Sequence, residues 1–176
     1  MDKYAAFLRG IGPLNPNMRN EKLRQVFESQ GLEQVQTVIT TGNVLFATTS
    51  RDIPALEASI EKAFPEQLGF NSATFILSHD ELKQLAENHP FELENKQLDQ
   101  FVAFTRQTVA PDFPGKAQES GWDGVSIYDR TVYCKVDTTQ TDPLVLLRWL
   151  EKYFNKEITT RTWKTVERVL KRLDTI

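Results

Sequence analysis

Apolar and polar positions along the chain fall into short runs of two kinds. KYAAFLRG, from Lys3, is almost continuously apolar and ends at the breaker between Gly10 and Gly12, which predicts a strand buried on both faces. Leu23, Val26 and Phe27 then recur at helical spacing, with Asn17 or Asn20 as the cap and Gly31 where a C-terminal cap belongs. VQTVITTGNVLFAT predicts two strands joined around Thr41, Gly42 and Asn43, a hairpin whose turn type the Gly-Asn order leaves open. Asp52 caps a helix carrying Leu56, Ile60 and Phe64, and Pro65 is expected to stop it. ATFIL completes the order βαββαβ, the split βαβ arrangement of ferredoxin-like units. SHDE, from Ser78 to Glu81, is a capping box that opens a further helix through Leu82 and Leu85 to about His89.

A second cycle follows. DQFVAFTR predicts a strand, PGKAQESG a short helix, and GVSIYDR with TVYCKV a hairpin turning at Asp129 and Arg130. DPLVLLRWLEKYF is a helix capped by Asp142, EITT a short strand, and RTWKTVERVLKRL a final helix. The fold class is therefore α+β: two ferredoxin-like βαββαβ subdomains in tandem, each followed by an extra helix. The expected organisation is an N-terminal subdomain over 1–89, a linker over 90–98 and a C-terminal subdomain over 99–176, two α+β subdomains packed together. The repeat is one of topology, with little residue identity between the copies.

In a ferredoxin-like unit the strand order is 4-1-3-2, so the end of the first strand shares an edge with the turn joining the second and third. That places Arg9, Gly10 and the loop through Asn15 and Asn17 on one rim with Thr40, Thr41, Gly42 and Asn43. Glycines let a ligand approach the backbone, a helix N-terminus offers unpaired N–H groups, and Arg9 and Arg19 add charge with fork geometry. The rim residues Arg9, Gly10, Gly12, Asn15, Asn17, Arg19, Gly42 and Asn43 thus suit a carboxylate or phosphate on a small anionic or nucleotide-like metabolite. A plain structural reading covers the same residues: Pro13 and Pro16 stiffen a connection, Asn17 caps a helix, and Arg9 meets a local carboxylate. There is no Walker or dinucleotide glycine pattern, so the phosphate reading is nonspecific and the cofactor is left open.

The second constellation is the last helix. At 100° per residue, Trp163, Val166, Val169, Leu170 and Leu173 share one face, and Arg161, Lys164, Arg168, Lys171 and Arg172 the other. From Asn155 to Ile176 there are six Lys or Arg against three Asp or Glu. Thr160, Arg161, Trp163, Lys164, Arg168 and Lys171 therefore form a second candidate site, for a nucleic-acid backbone or an acidic partner. The bland reading is a solvated face with basic residues suited to a helix C-terminus, Trp163 in the core and Thr160 or Thr162 as the cap.

Charge and composition narrow the classes. The 176 residues carry a net charge of −3, with 40% hydrophobic and 26% charged residues, ordinary for a globular chain. That balance offers no global attraction to nucleic acid or an anionic membrane, so nucleic acid ranks below a small anion. The strand NVLFATT also lacks the basic-Gly-aromatic start and aromatic spacing of RNA-binding sheets. Cys134 is the single cysteine, which excludes an internal disulfide framework, and its phase with Val132 and Val136 makes it a buried hydrophobe. The two histidines, His79 and His89, stand at helix ends with no metal-ligand spacing, so no metal is expected. No apolar run reaches a signal h-region or the ~20 residues of a membrane span, so no membrane partner and a cytoplasmic location are expected. No serine lies in a nucleophile elbow, and Glu21, Glu28 and Glu33 take ordinary surface positions, so catalysis is left open, as is oligomeric state. A protein-interaction scaffold is the third reading.

LRG at Leu8 to Gly10, TGNVLF at Thr41 to Phe46 and TTRTW at Thr159 to Trp163 occur in that order. On these motifs the chain resembles the bacterial family called Domain of Unknown Function 1697, with its LRGIN-type start, SGNV-type hairpin and TTRNW-type end. Arg9, Gly10, Gly42, Asn43, Thr160, Arg161 and Trp163 match motif positions. The resemblance implies two ferredoxin-like halves and no particular reaction, because the family has no established biochemical function. After Gly10 many members carry an Asn-Val-Gly-Gly-type loop, whereas this chain has Ile11-Gly12-Pro13-Leu14-Asn15-Pro16-Asn17, and Thr162 stands where Asn is common. If the first loop binds a ligand, its specificity differs accordingly.

Overall fold

The computed structural model describes residues 1–10, 19–39, 42–92 and 98–176. Among the described residues fourteen elements follow one another in two cycles, the first comprising β1 (Asp2–Leu8), α1 (Asn20–Ser29), β2 (Glu33–Thr37), β3 (Asn43–Thr48), α2 (Ile53–Leu68), β4 (Thr74–Ser78) and α3 (His79–Glu87). The second comprises β5 (Leu98–Thr105), α4 (Phe113–Glu119), β6 (Val125–Tyr128), β7 (Thr131–Asp137), α5 (Pro143–Tyr153), β8 (Ile158–Thr162) and α6 (Trp163–Leu173). The strands form two four-stranded antiparallel sheets, ordered β2-β3-β1-β4 and β6-β7-β5-β8. Both orders are the 4-1-3-2 arrangement that the two βαββαβ cycles predict.

The chain divides into two compact units, Met1–Lys83 with Glu167–Ile176, and Gln84–Val166. In the first, one face of the sheet (Tyr4, Ala6, Leu8, Val44, Phe46, Ile76) packs on Leu23, Val26 and Phe27 of α1 and on Ile60 and Phe64 of α2. The alternate positions Ala5, Phe7, Leu45 and Phe75 are buried too, which is why β1 and β3 read as unbroken apolar runs. The C-terminal half of α6 belongs to this unit. Lys3 Nζ donates to the Leu173 carbonyl at 3.3 Å, Arg172 Nε to Gln36 Oε1 at 3.0 Å, and His79 meets Asp174 at 2.7 Å. β4 is an edge strand, and α2 supplies acceptors to its backbone: Glu57 Oε1 takes the Ile76 N–H at 2.8 Å and Glu61 Oε1 the Thr74 N–H at 2.7 Å.

In the second unit Ala103, Val132, Cys134, Val136 and Ile158 face Phe113 of α4 and Leu146 and Leu150 of α5. Cys134 is fully buried, and burial pushes its thiol up to about 12. β6 and β7 pair through Tyr128 and Thr131 across Asp129 and Arg130, the two-residue turn expected there, with Asp129 at φ 50°.

Local signals hold in detail at several helix starts. Asp52 accepts from the Ala55 N–H at 3.1 Å and Asp142 from the Leu144 N–H at 2.9 Å. The capping box is reciprocal: Glu81 N–H donates to Ser78 Oγ at 3.1 Å, and Ser78 N–H to Glu81 Oε2 at 2.7 Å.

Three expectations are corrected. Pro65 does not stop α2, which runs on to Leu68. A proline there removes one hydrogen bond near the helix end, and the stop comes from Gly69, left-handed at φ 75°, whose N–H returns to the Pro65 carbonyl. Asn20 is the first helical residue of α1 and not its cap; Arg19 holds the cap position with no side-chain capping bond, and Asn17 lies outside the described residues. The last helix starts at Trp163, so Arg161 belongs to β8 and not to a helical basic face. Pairing of Arg161 with Val102 and Thr162 with Phe101 holds these residues extended, and Thr162 Oγ1 then caps the helix by accepting the Thr165 N–H at 3.3 Å. Thr160 is in mid-strand opposite Ala103 and caps nothing. Residues 93–97, most of the expected linker, lie outside the described residues.

Candidate functional site

The first rim is assembled by strand register. Phe7 pairs with Asn43 across β1 and β3, and one step further the Leu8 N–H donates to the Gly42 carbonyl at 2.8 Å. On its other side the chain end is held by β4: Arg9 N–H donates to the Ala73 carbonyl at 2.9 Å, and Ser72 Oγ to the Arg9 carbonyl at 2.8 Å. Arg9 and Gly10 thus leave the sheet beside Gly42 and Asn43, as the topology predicts. Gly10 and Gly42 have φ of +70° and +66°, which side-chain-bearing residues rarely adopt. A Cβ at Gly10 would meet nothing within 4 Å among the described residues, so that glycine serves the backbone turn.

The side chains divide their roles. Asn43 is buried and its Nδ2 donates to the Val38 carbonyl at 3.1 Å, while Val38 N–H returns to the Asn43 carbonyl at 2.9 Å. Asn43 therefore locks the hairpin turn. Arg9 is half-buried at the rim and Arg19 is exposed at the start of α1, its carbonyl accepting the Leu23 N–H at 3.2 Å. Glu21, in the first turn of that helix, is tied to Arg24 at 2.8 Å. Gly12, Asn15 and Asn17, with Thr40 and Thr41, lie outside the described residues.

The second unit carries the same rim at matching positions. Thr105 pairs with Ile158 as Leu8 pairs with Thr74, and Thr105 N–H donates to the Arg130 carbonyl at 3.0 Å as Leu8 does to Gly42. Register therefore matches Arg9 with Arg106, Gly10 with Gln107 and Asn43 with Thr131. At this rim the chain encloses a cleft of about 510 Å³, lined by Thr105 to Ala110, Phe113, Tyr153, Phe154 and Glu157. Sequence reading missed it, although FLR at Phe7 to Arg9 and FTR at Phe104 to Arg106 end corresponding strands.

The residues of the C-terminal motif are spread over strand and helix. Arg161 Nη1 donates at 2.9 Å to both Thr159 Oγ1 and the Thr160 carbonyl, and burial lowers its pKa to about 10. Trp163 is buried as expected, with no acceptor for its indole N–H among the described residues. His89 packs on it at 4.1 Å between ring centroids and meets Tyr133 edge-on at 5.5 Å. That aromatic contact was not legible from the position of His89 at a helix end. Lys164, Arg168 and Lys171 are exposed, with the acidic Glu167 exposed among them, and Arg172 is engaged with Gln36. Among the described residues no three His, Cys, Asp or Glu side chains gather as a metal site would need, and no helix is long and apolar enough to cross a membrane.

Fold and rims together define a tandem α+β protein of two ferredoxin-like halves. The chain belongs to the family described as Protein of unknown function (DUF1697), whose model matches residues 1–133. Thr159 to Trp163 fall beyond that match. In fold the chain is similar to the conserved bacterial protein SP0830 from Streptococcus pneumoniae, at 22% identity and a TM-score of 0.76 with 98% of each chain covered. No curated protein matches the chain.

Proposed function

We propose that the first rim binds a small anionic metabolite through a carboxylate or phosphate, nucleotide-like ligands included. The observation that carries this reading is the 2.8 Å bond from Leu8 N–H to the Gly42 carbonyl, which ties two sequence-distant, glycine-bearing turns to one edge beside Arg9. In this reading Arg9 and Arg19 neutralise the anion, Gly10 and Gly42 let it approach the backbone, and Asn43 holds the turn in place. Gly12, Asn15 and Asn17 join the site through their position in the sequence between the two arginines. A cytoplasmic setting accords with the single cysteine, a buried thiol.

The test is a thermal-shift series with inorganic phosphate, nucleoside monophosphates and small carboxylates on wild type and Arg9→Ala, at low and high salt. A ligand at ~100 times its dissociation constant adds about 2.7 kcal/mol of stability, a readable rise in melting temperature. The expected outcome is a salt-tolerant rise that Arg9→Ala abolishes while its unliganded melting temperature stays near that of wild type. An equal rise in both proteins removes Arg9 from the role.

A second reading rests on the exposed row Lys164, Arg168 and Lys171 on α6. Those residues suit phosphate contacts of a nucleic-acid backbone, and such binding weakens steeply with added salt. Arg168→Glu with Lys171→Glu should abolish retention of a short RNA at low salt; retention by the double variant rejects this reading.

A further inference from the structure

We propose that the cleft at the rim of the second unit is a separate binding site for a small aromatic carboxylate: a flat ring seated on Tyr153 and Phe154, its acid group on Arg106. This goes beyond the anion reading of the first rim and does not depend on it.

Three features carry the inference. The first is shape and lining. A cleft of about 510 Å³ falls within the size range of small-molecule pockets and accepts a one- or two-ring ligand. Tyr153, 40% exposed, and the half-buried Phe154 present their rings at a centroid distance of 5.1 Å, and the fully buried Phe113 supports them from the core at 4.8 and 5.0 Å. Tyr153 and Phe154, meeting edge-on at 66°, offer a face and an edge to an incoming ring, the geometry aromatic pairs prefer.

The second is charge. Arg106 Nε and Glu157 Oε2, both in the lining, meet at 3.0 Å, and their side chains are 26% and 61% exposed. The cation is the sheltered partner and the carboxylate the solvated one. An exposed ion pair contributes little, so a ligand carboxylate can take the place of Glu157 on the guanidinium, whose planar fork suits that group, while Glu157 returns to water. A cationic ligand would need the reverse arrangement, with the acid inside.

The third is that the wall is formed in advance. Thr105 Oγ1 donates to the Gln107 carbonyl at 2.6 Å, Thr108 Oγ1 to Asp129 Oδ1 at 2.9 Å, and the Val109 N–H to the Asp129 carbonyl at 2.8 Å. The first bond fixes the segment carrying Arg106 internally and the other two pin it to the β6–β7 turn, so little ordering is left for the ligand to impose.

The test uses the full chain and follows backbone amide NMR shifts during titration with benzoate, naphthalene-2-carboxylate, cyclohexanecarboxylate and benzylamine. The aromatic acids should move the amides of Arg106 to Val109 saturably. Arg106→Ala should weaken them at least tenfold, Glu157→Gln should tighten them a few-fold, and Tyr153→Leu, which keeps apolar bulk, should weaken naphthalene-2-carboxylate more than cyclohexanecarboxylate. Arg9→Ala should change nothing. Thermal denaturation of each variant separates lost binding from lost fold. The proposal is overturned if no probe saturates at millimolar concentration, if Arg106→Ala in a folded protein binds normally, if cyclohexanecarboxylate equals the aromatic acids, or if benzylamine binds best.

Discussion

The two rims occupy the same topological position and are built from opposite materials. In the first unit the chain leaves β1 through Arg9 and Gly10 and faces Gly42 across the sheet edge, both glycines at positive φ. In the second it leaves β5 through Arg106 and Gln107, faces Arg130, and is walled by three aromatic rings from α4 and the end of α5. Strand order alone creates an edge where a strand end and a hairpin turn converge, and the arginine that follows the strand is common to both. In the two proposals what surrounds it decides the chemistry: at the first rim glycine would open the backbone to a small hydrated anion, at the second the rings would favour a ligand with an apolar body. A topological repeat can therefore hold two sites of different selectivity on one scaffold.

The units differ also in how they are completed, and that difference gives the largest expected effect. Removing Glu167–Ile176 strips the first unit of Val169 and Leu173, both fully buried, and of partners for Lys3, Gln36 and His79. Two buried apolar side chains at about 1.5–3 kcal/mol each put the loss above about 3 kcal/mol. Hydrogen exchange on a chain ending at Val166 should show the β1 to β4 amides losing more protection than those of β5 to β8. Equal loss in both sheets would show that the helix end does not belong to the first unit in particular.

Matched core positions sharpen the contrast next. Phe46 and Cys134 occupy equivalent places, opposite Tyr4 and Phe101 in their sheets, and both are fully buried. Phe46 also stacks on Tyr4 at 5.7 Å and meets Phe27 at 5.8 Å. Phe46→Ala should cost about 3–5 kcal/mol in urea denaturation. Cys134→Ala deletes a single atom and should cost distinctly less; a similar cost would mean that the second core is as intolerant of small voids as the first.

At the rims themselves the paired positions are Gly10 and Gln107. Gly10→Ala forces a side chain into a left-handed backbone and should cost roughly 1–2 kcal/mol, although the added methyl meets none of the described residues. Gln107→Ala should stay within about 0.5 kcal/mol, because the group that holds its turn is its carbonyl, the acceptor for Thr105. Equal costs at the two positions would show that the glycine is not required by the backbone, and would weaken the case for an open first rim.

How much of this was legible in the sequence follows from what hydrophobic period encodes. Alternation and continuous apolar runs report that a face is buried, so the strands, their order and the helix stripes were readable, as were local devices such as the Ser78 to Glu81 box. Period does not report what a face is buried against. The stripe Trp163, Val166, Val169 and Leu173 therefore marked a buried helix side without revealing that its end completes the first unit. The same blindness hid the second rim: Phe113 stands 40 residues and more before Tyr153 and Phe154, and only the cross-strand register aligns Arg106 with Arg9. Arg161 was misplaced because a strand running directly into a helix carries no breaker, and Thr162 serves both as last strand residue and as cap.

The smallest expected effect concerns the thiol that stands in the second core where the first has a phenyl ring. Burial raises Cys134 from its ordinary value of 9.0 to about 12, so the unfolded chain releases this proton well before the folded one. Its contribution to stability is complete below pH 9 and is lost as pH rises from there towards 12. Urea midpoints should accordingly be level from pH 7 to 8.5 and fall above 9, with the fall reduced in Cys134→Ala. At pH 8 an alkylating reagent should label the native protein only as fast as the second unit opens, and at once in urea. Rapid native labelling would mean that this sheet face is reachable while folded, and the contrast between a closed core behind β7 and an open cleft at its rim would fail.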